Sequence, residues 1–233
     1  MYTRKYTRDA SSLSVPKEFR LAVPDPDPDF SLGIDVRGRS ATLKVNYRTS
    51  HQIRRAADRL LPKKLRDVDG LEDDRAGTVS VFDGPEPVIL IAGTADQEIE
   101  SAAAFLAAAV SDGVSPAEIG ILVRSSNELA RAAAVAAGLG VRTFIERGPD
   151  DVSAALVGTM HLAKGLEFRV VAVMACDQGV LPLEERVADV ADEFELDEVV
   201  ATERQLLYVA ATRARDRLWV SGVEPASEFL EGL

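Results

Sequence analysis

The chain has 233 residues, 46% of them hydrophobic and 28% charged, which is enough for one good-sized α/β core or a core with a small appendage. No apolar run approaches the roughly 18 residues that span a bilayer, and the basic amino terminus has no apolar stretch behind it, so we expect neither a membrane span nor a secretory signal. The net charge of −11 argues against a simple nucleic-acid coat protein. The chain has a single cysteine, Cys176, which excludes an internal disulfide. A cytoplasmic location is therefore the default expectation.

The charges are unevenly distributed along the chain. Residues 37–66 carry ten lysines and arginines against one acid, whereas residues 67–233 carry 12 basic and 31 acidic residues. A basic face on an acidic body could steer a polyanion to one side of the protein. A solvated basic helix would produce the same pattern, and charge alone does not separate the two interpretations.

Residues 1–32 are predicted to form a flexible leader, followed by one globular domain over residues 33–233. The leader contains repeated Asp-Pro pairs at residues 24–29. Proline lacks an amide donor and neighbouring aspartates repel one another, so an extended linker is expected.

Strand and helix signals alternate from about Gly33 onward. The first helix is predicted to follow Thr49 and Ser50, which can cap its amino terminus. Strands are predicted at residues 78–82, 87–93, 119–125, 141–145, 156–160, 169–175 and 216–221. Further helices are predicted around residues 99–110, 127–137 and 197–215, with a short helix at the end of the chain. We therefore expect a three-layer α/β domain with a mostly parallel sheet, whose ligands would bind at the carboxyl ends of the strands.

The chain lacks the parts that a complete nucleotide-hydrolysing motor needs. It contains no Gly-Lys pair and hence no Walker A phosphate loop. A Walker B acidic pair is also missing, because Asp177 is followed by glutamine and Leu196–Glu198 lies in an acidic helical stretch. The only histidines are His51 and His161, and no His/Cys cluster has metal-ligand spacing. No metal site is predicted.

Three segments carry a more specific signal. They are VNYRTSHQI at residues 45–53, VGTMHLAKGLEFRVV at residues 157–171 and ATERQLLYVAATRARDRLWV at residues 201–220. Together they resemble motifs IV, V and VI of UvrD/PcrA/Rep-type superfamily-1 DNA helicases, in the order found in that family. The resemblance covers about residues 33–233. It implies the second, RecA-like (P-loop NTPase-like) motor domain of an ATP-dependent DNA helicase, without the domain that carries the phosphate loop.

The resemblance assigns nucleotide contacts to four residues. Arg48 and Arg213 match the two arginines that reach the γ-phosphate of ATP, where guanidinium groups stabilise the charge of the transition state. Tyr47 matches the tyrosine that stacks on adenine, and Glu167 matches the glutamate that accepts a hydrogen bond from the ribose. The ordinary alternatives are surface salt bridges for the arginines, a half-buried core aromatic for Tyr47, and a capping or surface carboxylate for Glu167.

Thr159 and His161 match residues that contact the backbone of single-stranded DNA, and a hydroxyl and an imidazole can both donate to phosphate oxygens. A lone histidine is more often structural, which is the alternative for His161. Glu203, Arg204 and Gln205 are expected to join the network that positions Arg213. Trp219 is expected to be a core residue.

The implied cofactor is ATP with Mg²⁺, held mainly by an N-terminal motor domain outside this chain. The implied partners are that domain and single-stranded DNA, and the isolated chain is expected to be inactive. Two alternatives remain: a stand-alone DNA-binding or protein-docking module without ATP turnover, and a fragment of a full helicase. The low aromatic content of 6% weakens tight DNA binding by the chain alone, since stacking platforms for single strands are few.

Overall fold

The computed structural model describes residues 45–61, 64–66, 72–74, 79–143 and 154–233, so the predicted leader lies outside the described residues. The strands are β1 (Val45–Asn46), β2 (Lys64–Arg66), β3 (Glu72–Asp74), β4 (Val79–Ser80), β5 (Val88–Ala92), β6 (Ile119–Val123), β7 (Val141–Thr143), β8 (Ala155–Thr159), β9 (Phe168–Val173) and β10 (Ala214–Val223). The α-helices are α1 (His51–Ala57), α2 (Ala95–Ser111), α3 (Leu129–Val135), α4 (Glu184–Ala188) and α5 (Glu193–Ala211). Short 3-10 helices occupy Asp58–Leu60, Pro116–Glu118, Ser126–Glu128, Ala136–Gly138, Met160–Ala163 and Glu228–Gly232.

The main sheet has six strands in the order β5-β10-β9-β6-β8-β7, and every neighbouring pair is parallel. Strands β1 and β4 form a separate parallel pair, while β2 and β3 form an antiparallel pair. Parallel strands need crossover connections, and most of these connections are helical. The sheet confirms the predicted α/β fold class.

Apolar side chains cover both faces of the sheet. On one face, Ile53 of α1 and Leu207 of α5 pack in a cluster with Phe229 near the end of the chain. On the other face, Leu106 of α2 packs in a second cluster that includes Trp219. These two cores separate three layers, and the buried indole of Trp219 confirms that it is a core residue.

Two helix starts follow from side-chain caps. The Ser50 hydroxyl accepts from the amide of Ile53, as predicted for the start of α1. Helix α5 begins at Glu193, four residues before its predicted start, because the Asp192 carboxylate accepts from the amide of Glu195 at 2.9 Å. The helix also ends earlier, at Ala211. Arg213 therefore lies in the turn after α5, whereas the sequence had predicted it inside the helix.

A buried ionic cluster lies at the carboxyl edge of the sheet. Glu98 of α2 is fully buried and pairs with Arg131 of α3. Its carboxylate also accepts from the Ser221 hydroxyl at 2.6 Å. Arg131 reaches Asp177 as well, at 2.6 Å, and Asp177 accepts from the Val223 amide at 2.6 Å. Asp177, which sequence reasoning rejected as a magnesium ligand, thus joins α3 to β10.

Within the described part of the chain, no helix combines the length and the apolar character needed to cross a membrane.

Candidate functional site

The three motif segments meet at the turn between α5 and β10. Several hydrogen bonds join the segments there. Thr49 Oγ1 donates to the Thr212 carbonyl at 3.3 Å, and the Ser50 amide donates to the Arg215 carbonyl at 3.0 Å. The Phe168 amide donates to the Arg213 carbonyl at 3.0 Å. The turn is therefore bonded to the first segment on one side and to the second on the other. Because β9 and β10 both begin at this point, the junction lies at the amino-terminal edge of the sheet.

Arg48, Glu167 and Arg213 lie together at this junction. Arg48 forms a salt bridge with Glu167, and each side chain is 55% exposed. Arg213 is held differently, because its Nε donates to the Val209 carbonyl at 3.0 Å and its Nη1 donates to the Leu166 carbonyl at 3.3 Å. These backbone acceptors orient the Arg213 guanidinium without neutralising its charge.

Arg48 and Arg213 are neighbours, because Arg213 donates to the Leu166 carbonyl and Arg48 pairs with the next residue, Glu167. Burial lowers the pKa of Arg213, and the positive charge of Arg48 lowers this pKa further, while Glu167 acts in the opposite direction. Arginine remains charged at neutral pH despite such a shift. The cluster contains two guanidinium groups and one carboxylate, and only Arg48 pairs with that carboxylate, so the cluster carries a net positive charge. An anion placed between the arginines would relieve their repulsion.

Tyr47 precedes Arg48 in the chain and is exposed. The residue is 68% exposed, which rules out the half-buried core alternative. The next residue, Arg48, is fixed through its backbone, because its amide donates to Asn46 Oδ1 at 2.8 Å. An aromatic ring open to solvent next to a cationic pair can stack on a planar ligand.

Thr159 and His161 lie at the other edge of the sheet. Thr159 ends β8, and His161 follows in the 3-10 helix Met160–Ala163. The sequence-predicted residues therefore form two groups, one at each edge. The general expectation that ligands bind at the carboxyl ends of strands fits only the Thr159 and His161 group. The arginine cluster lies at the amino-terminal edge instead.

His161 is exposed and borders a groove of about 270 Å³ between α5 and the 3-10 helix. Partial burial lowers the pKa of His161, and the neighbouring positive charges of Arg124 and Arg186 lower it further against the opposing effect of Glu203. Both effects disfavour the charged form of the imidazole.

Sequence reasoning missed the buried salt-bridge network of Arg124, Glu203 and Arg186. Glu203 of α5 is fully buried, and its two oxygens accept from Arg124 at 2.6 and 2.7 Å. One of these oxygens also accepts from Arg186 of α4 at 2.8 Å. Burial by itself would raise the pKa of Glu203, but the hydrogen bonds from the two arginines outweigh burial and hold this pKa below its usual value.

Glu203, Arg204 and Gln205 were expected to join the network that positions Arg213, but the Arg213 guanidinium donates to the Val209 and Leu166 carbonyls. Glu203 bonds to the network described above, and Gln205 lines the groove beside His161. Arg204 lies over the ring of Phe229, 4.6 Å from its centroid. These side chains point toward the His161 edge or the end of the chain.

A larger cavity, of about 700 Å³, lies between α4 and the last 3-10 helix. Its lining contains none of the residues that sequence reasoning selected, and its charged groups are Glu184, Glu228 and Glu231. Three carboxylates would repel a nucleotide or a nucleic acid, so the arginine cluster is the better candidate. Among the described residues, no group of three or more His, Cys, Asp or Glu side chains could hold a metal ion.

Residues 142–224 match the family of UvrD-like helicase C-terminal domains. The ATP-dependent DNA helicase UvrD1 of Mycobacterium leprae is 48% identical over 63 residues, which are 27% of this chain and 7% of that protein. The ATP-dependent DNA helicase PcrA of Bacillus subtilis is 38% identical over 71 residues, which are 30% of this chain and 9% of that protein. The matched segment thus spans less than a tenth of either relative.

A solved structure described as the C-terminal domain of a possible DNA helicase from Lactobacillus plantarum is similar over most of the chain. It covers 79% of this chain and 92% of its own, with a TM-score of 0.54 and 22% identity. This likeness supports the RecA-like fold that the sequence predicted. The family match includes Thr159, His161, Glu167 and Arg213, whereas Tyr47 and Arg48 lie outside it.

Proposed function

We propose that this chain, which carries a UvrD-like helicase C-terminal domain, is the second motor domain of an ATP-dependent DNA helicase. It supplies Arg48 and Arg213 to ATP that is bound mainly by a first motor domain. The proposal includes a domain over residues 33–233 that follows a flexible leader, and a cytoplasmic location. The supporting observation is that Arg48, Glu167 and Arg213 lie together although they come from three distant segments.

The charge of the cluster suits a polyphosphate. The backbone acceptors of Arg213 leave its positive charge uncompensated, and Arg48 retains a half-exposed guanidinium. Arginine forks match phosphate oxygens in geometry, and arginine fingers increase hydrolysis rates by roughly 10³- to 10⁵-fold. In the same proposal, Tyr47 stacks on the adenine and Glu167 accepts from the ribose.

The residues of this chain fit part of the nucleotide and not its metal ion. The cluster offers two cations and one carboxylate, and the sequence contains no Gly-Lys phosphate loop. The first motor domain would therefore hold Mg²⁺ and the phosphate cradle. The ion, when bound, neutralises the phosphates, while Arg48 and Arg213 orient and stabilise the γ-phosphate from the opposite side of the cleft.

The second half of the proposal concerns DNA. Thr159 and His161 donate hydrogen bonds to the backbone of a single strand at the carboxyl edge of the sheet. Closure of the two motor domains on ATP and their reopening after hydrolysis would move this edge along the strand. Because this chain lacks the phosphate loop, the isolated chain should not turn over ATP.

The test is ATP hydrolysis in the presence of single-stranded DNA. The chain is assayed alone and with a first motor domain of a UvrD-like helicase supplied in trans, using wild type, Arg213→Ala and Arg55→Ala. Arg55 is a matched control, because it is an exposed arginine of α1 that pairs with Glu86 away from the cluster. We expect hydrolysis only in the mixture, its loss with Arg213→Ala, and no change with Arg55→Ala.

Turnover by the chain alone would contradict the half-site proposal. DNA binding without turnover in either mixture would instead favour the stand-alone module. Equal activity of the Arg213→Ala and Arg55→Ala mixtures would reject Arg213 as an arginine finger.

A further inference from the structure

We propose that Arg186 binds a backbone phosphate of single-stranded nucleic acid, at a site which it forms together with His161 and Lys164. The inference rests on the DNA half of the proposed function and adds a residue outside the three motif segments. Arg186 belongs to α4, a helix that the sequence did not predict.

The groove beside His161 brings the three basic side chains to one place. Its lining includes Met160, His161, Lys164, Arg186, Thr202, Gln205, Leu206 and Val209. The 3-10 helix contributes His161, the turn that follows it contributes Lys164, and α4 contributes Arg186. Thr202 and Gln205 add side chains that can form hydrogen bonds. Among the residues that the structure describes, no aspartate or glutamate lines this groove.

Arg186 is anchored on one side and open on the other. It donates through Nη1 to Glu203 at 2.8 Å, and the carboxylate of Glu203 is fully buried, whereas 40% of the Arg186 side chain is exposed. A guanidinium has five N–H donors in a fixed fork, so one bond to Glu203 leaves most of its donors for another acceptor. The anchor also reduces the side-chain entropy that Arg186 would lose on binding a ligand.

The charge balance of the network favours an anion in the groove. Arg124 already pairs with both oxygens of Glu203, and its side chain is only 6% exposed. Arg186 therefore adds a second positive charge to a carboxylate that Arg124 has neutralised. The surrounding protein has a net charge of −11, so a local positive patch at the DNA edge is not explained by general surface composition.

A phosphate diester fits this patch better than other anions. The groove is open and lies along α5, next to the residue proposed to contact DNA, so consecutive phosphates of one strand could reach His161 and Arg186 in turn. Arginine and lysine contacts to phosphate are the main source of sequence-independent affinity for nucleic acid. An acidic side chain of the first motor domain is the competing ligand.

The test measures binding of a fluorescein-labelled oligodeoxythymidine to the full chain by anisotropy over a range of salt concentrations. The variants are Arg186→Gln, His161→Ala and the control Arg169→Gln. Arg169 matches Arg186 in exposure, at 37%, but pairs with Asp216 at the amino-terminal edge of the sheet. We expect Arg186→Gln to weaken binding on the order of tenfold at low salt. We also expect it to reduce the slope of log K against log salt by about 0.7, with Arg169→Gln unchanged.

Each other outcome overturns a defined part of the argument. If His161→Ala weakens binding while Arg186→Gln matches wild type, the Arg186 site is refuted and the proposed function stands. If Arg186→Gln affects only association with a first motor domain, the ligand of Arg186 is an acidic partner residue and the phosphate site is refuted. If wild type fails to bind the oligonucleotide, alone and with a first motor domain, the DNA half of the proposed function fails as well.

Discussion

Replacing Arg124 with methionine should destabilise the fold by far more than replacing an exposed arginine. The change keeps an unbranched chain of similar length but removes one of the two guanidinium groups that neutralise Glu203. Glu203 is fully buried and accepts from Arg124 at 2.6 and 2.7 Å. After the change its carboxylate depends on Arg186 alone.

The size of the loss follows from this geometry. Removing one partner of a buried ion pair costs about 3–5 kcal/mol, because an uncompensated charge is left in the interior. Arg186 remains 2.8 Å from Glu203, so we expect the lower end, about 3 kcal/mol. For a domain of this size, 1 kcal/mol lowers Tm by about 2–4 °C, which predicts a decrease of about 6–12 °C.

Lowering the pH should reduce the difference in Tm between wild type and Arg124→Met. The arginines lower the pKa of Glu203 in the folded state. Its contribution to stability is therefore present above its unfolded pKa of about 4.3 and is lost as the pH falls through the lower folded value. Arg124→Met removes a cause of that shift, so the Tm values of wild type and variant should converge as the pH falls through this window.

The assay is thermal unfolding followed by circular dichroism from pH 7 down to pH 3, with urea unfolding as a second measure. Arg55→Met is the control, because Arg55 and Glu86 are 50% and 63% exposed and such pairs contribute about 1 kcal/mol or less. A second variant, Arg124→Met with Glu203→Met, should recover part of the lost stability. A decrease for Arg124→Met no larger than that for Arg55→Met would refute the reasoning.

Gly120→Ala should destabilise the protein by about 1–3 kcal/mol in urea unfolding, because its Cβ would lie 2.7 Å from the Phe168 ring in a packed core. Gly138→Ala, which meets no atom within 4 Å, is the control and should change stability little; equal effects would contradict the packing argument. Oligodeoxythymidine affinity should rise as the pH falls below neutrality, because burial and Arg124 lower the pKa of His161 and a bound phosphate would raise it. The same titration on His161→Gln should lose this rise, and retention of the full pH dependence would exclude His161 as its source.

The sheet was predictable because its strands are continuous apolar runs, such as the fully buried Ile119–Val123. The predicted ends of helices were less accurate where charged residues dominate the sequence. The acidic start of α5 carries few apolar positions, and its true beginning depends on one cap at Asp192. The residues of the arginine cluster were selected one by one from the motifs, since each motif is local. The location of this cluster at the amino-terminal edge could not be predicted, because it depends on how the segments pair in three dimensions.

The buried charges were missed for a related reason. Glu203 and its partner Arg124 are 79 residues apart, so no local pattern reveals the pair. A weaker signal was available: Glu203 lies on the same helical face as the buried Leu207 and Ala210 of α5. Glu98 lies in the same way before Ala102 and other buried residues of α2. A glutamate in register with an apolar stripe predicts a buried carboxylate that needs a distant cation.

The claim that Arg48 and Arg213 act on one nucleotide is tested most directly by a double-mutant cycle. The measurement is kcat of DNA-stimulated ATP hydrolysis by the chain mixed with a first motor domain, for wild type, Arg48→Ala, Arg213→Ala and the double variant. We predict that Arg213→Ala lowers kcat by roughly 10³-fold or more and that the double variant is little worse, because both arginines stabilise the same transition state. Fully multiplicative effects of the two substitutions, or unchanged kcat in either single variant, would contradict a shared site.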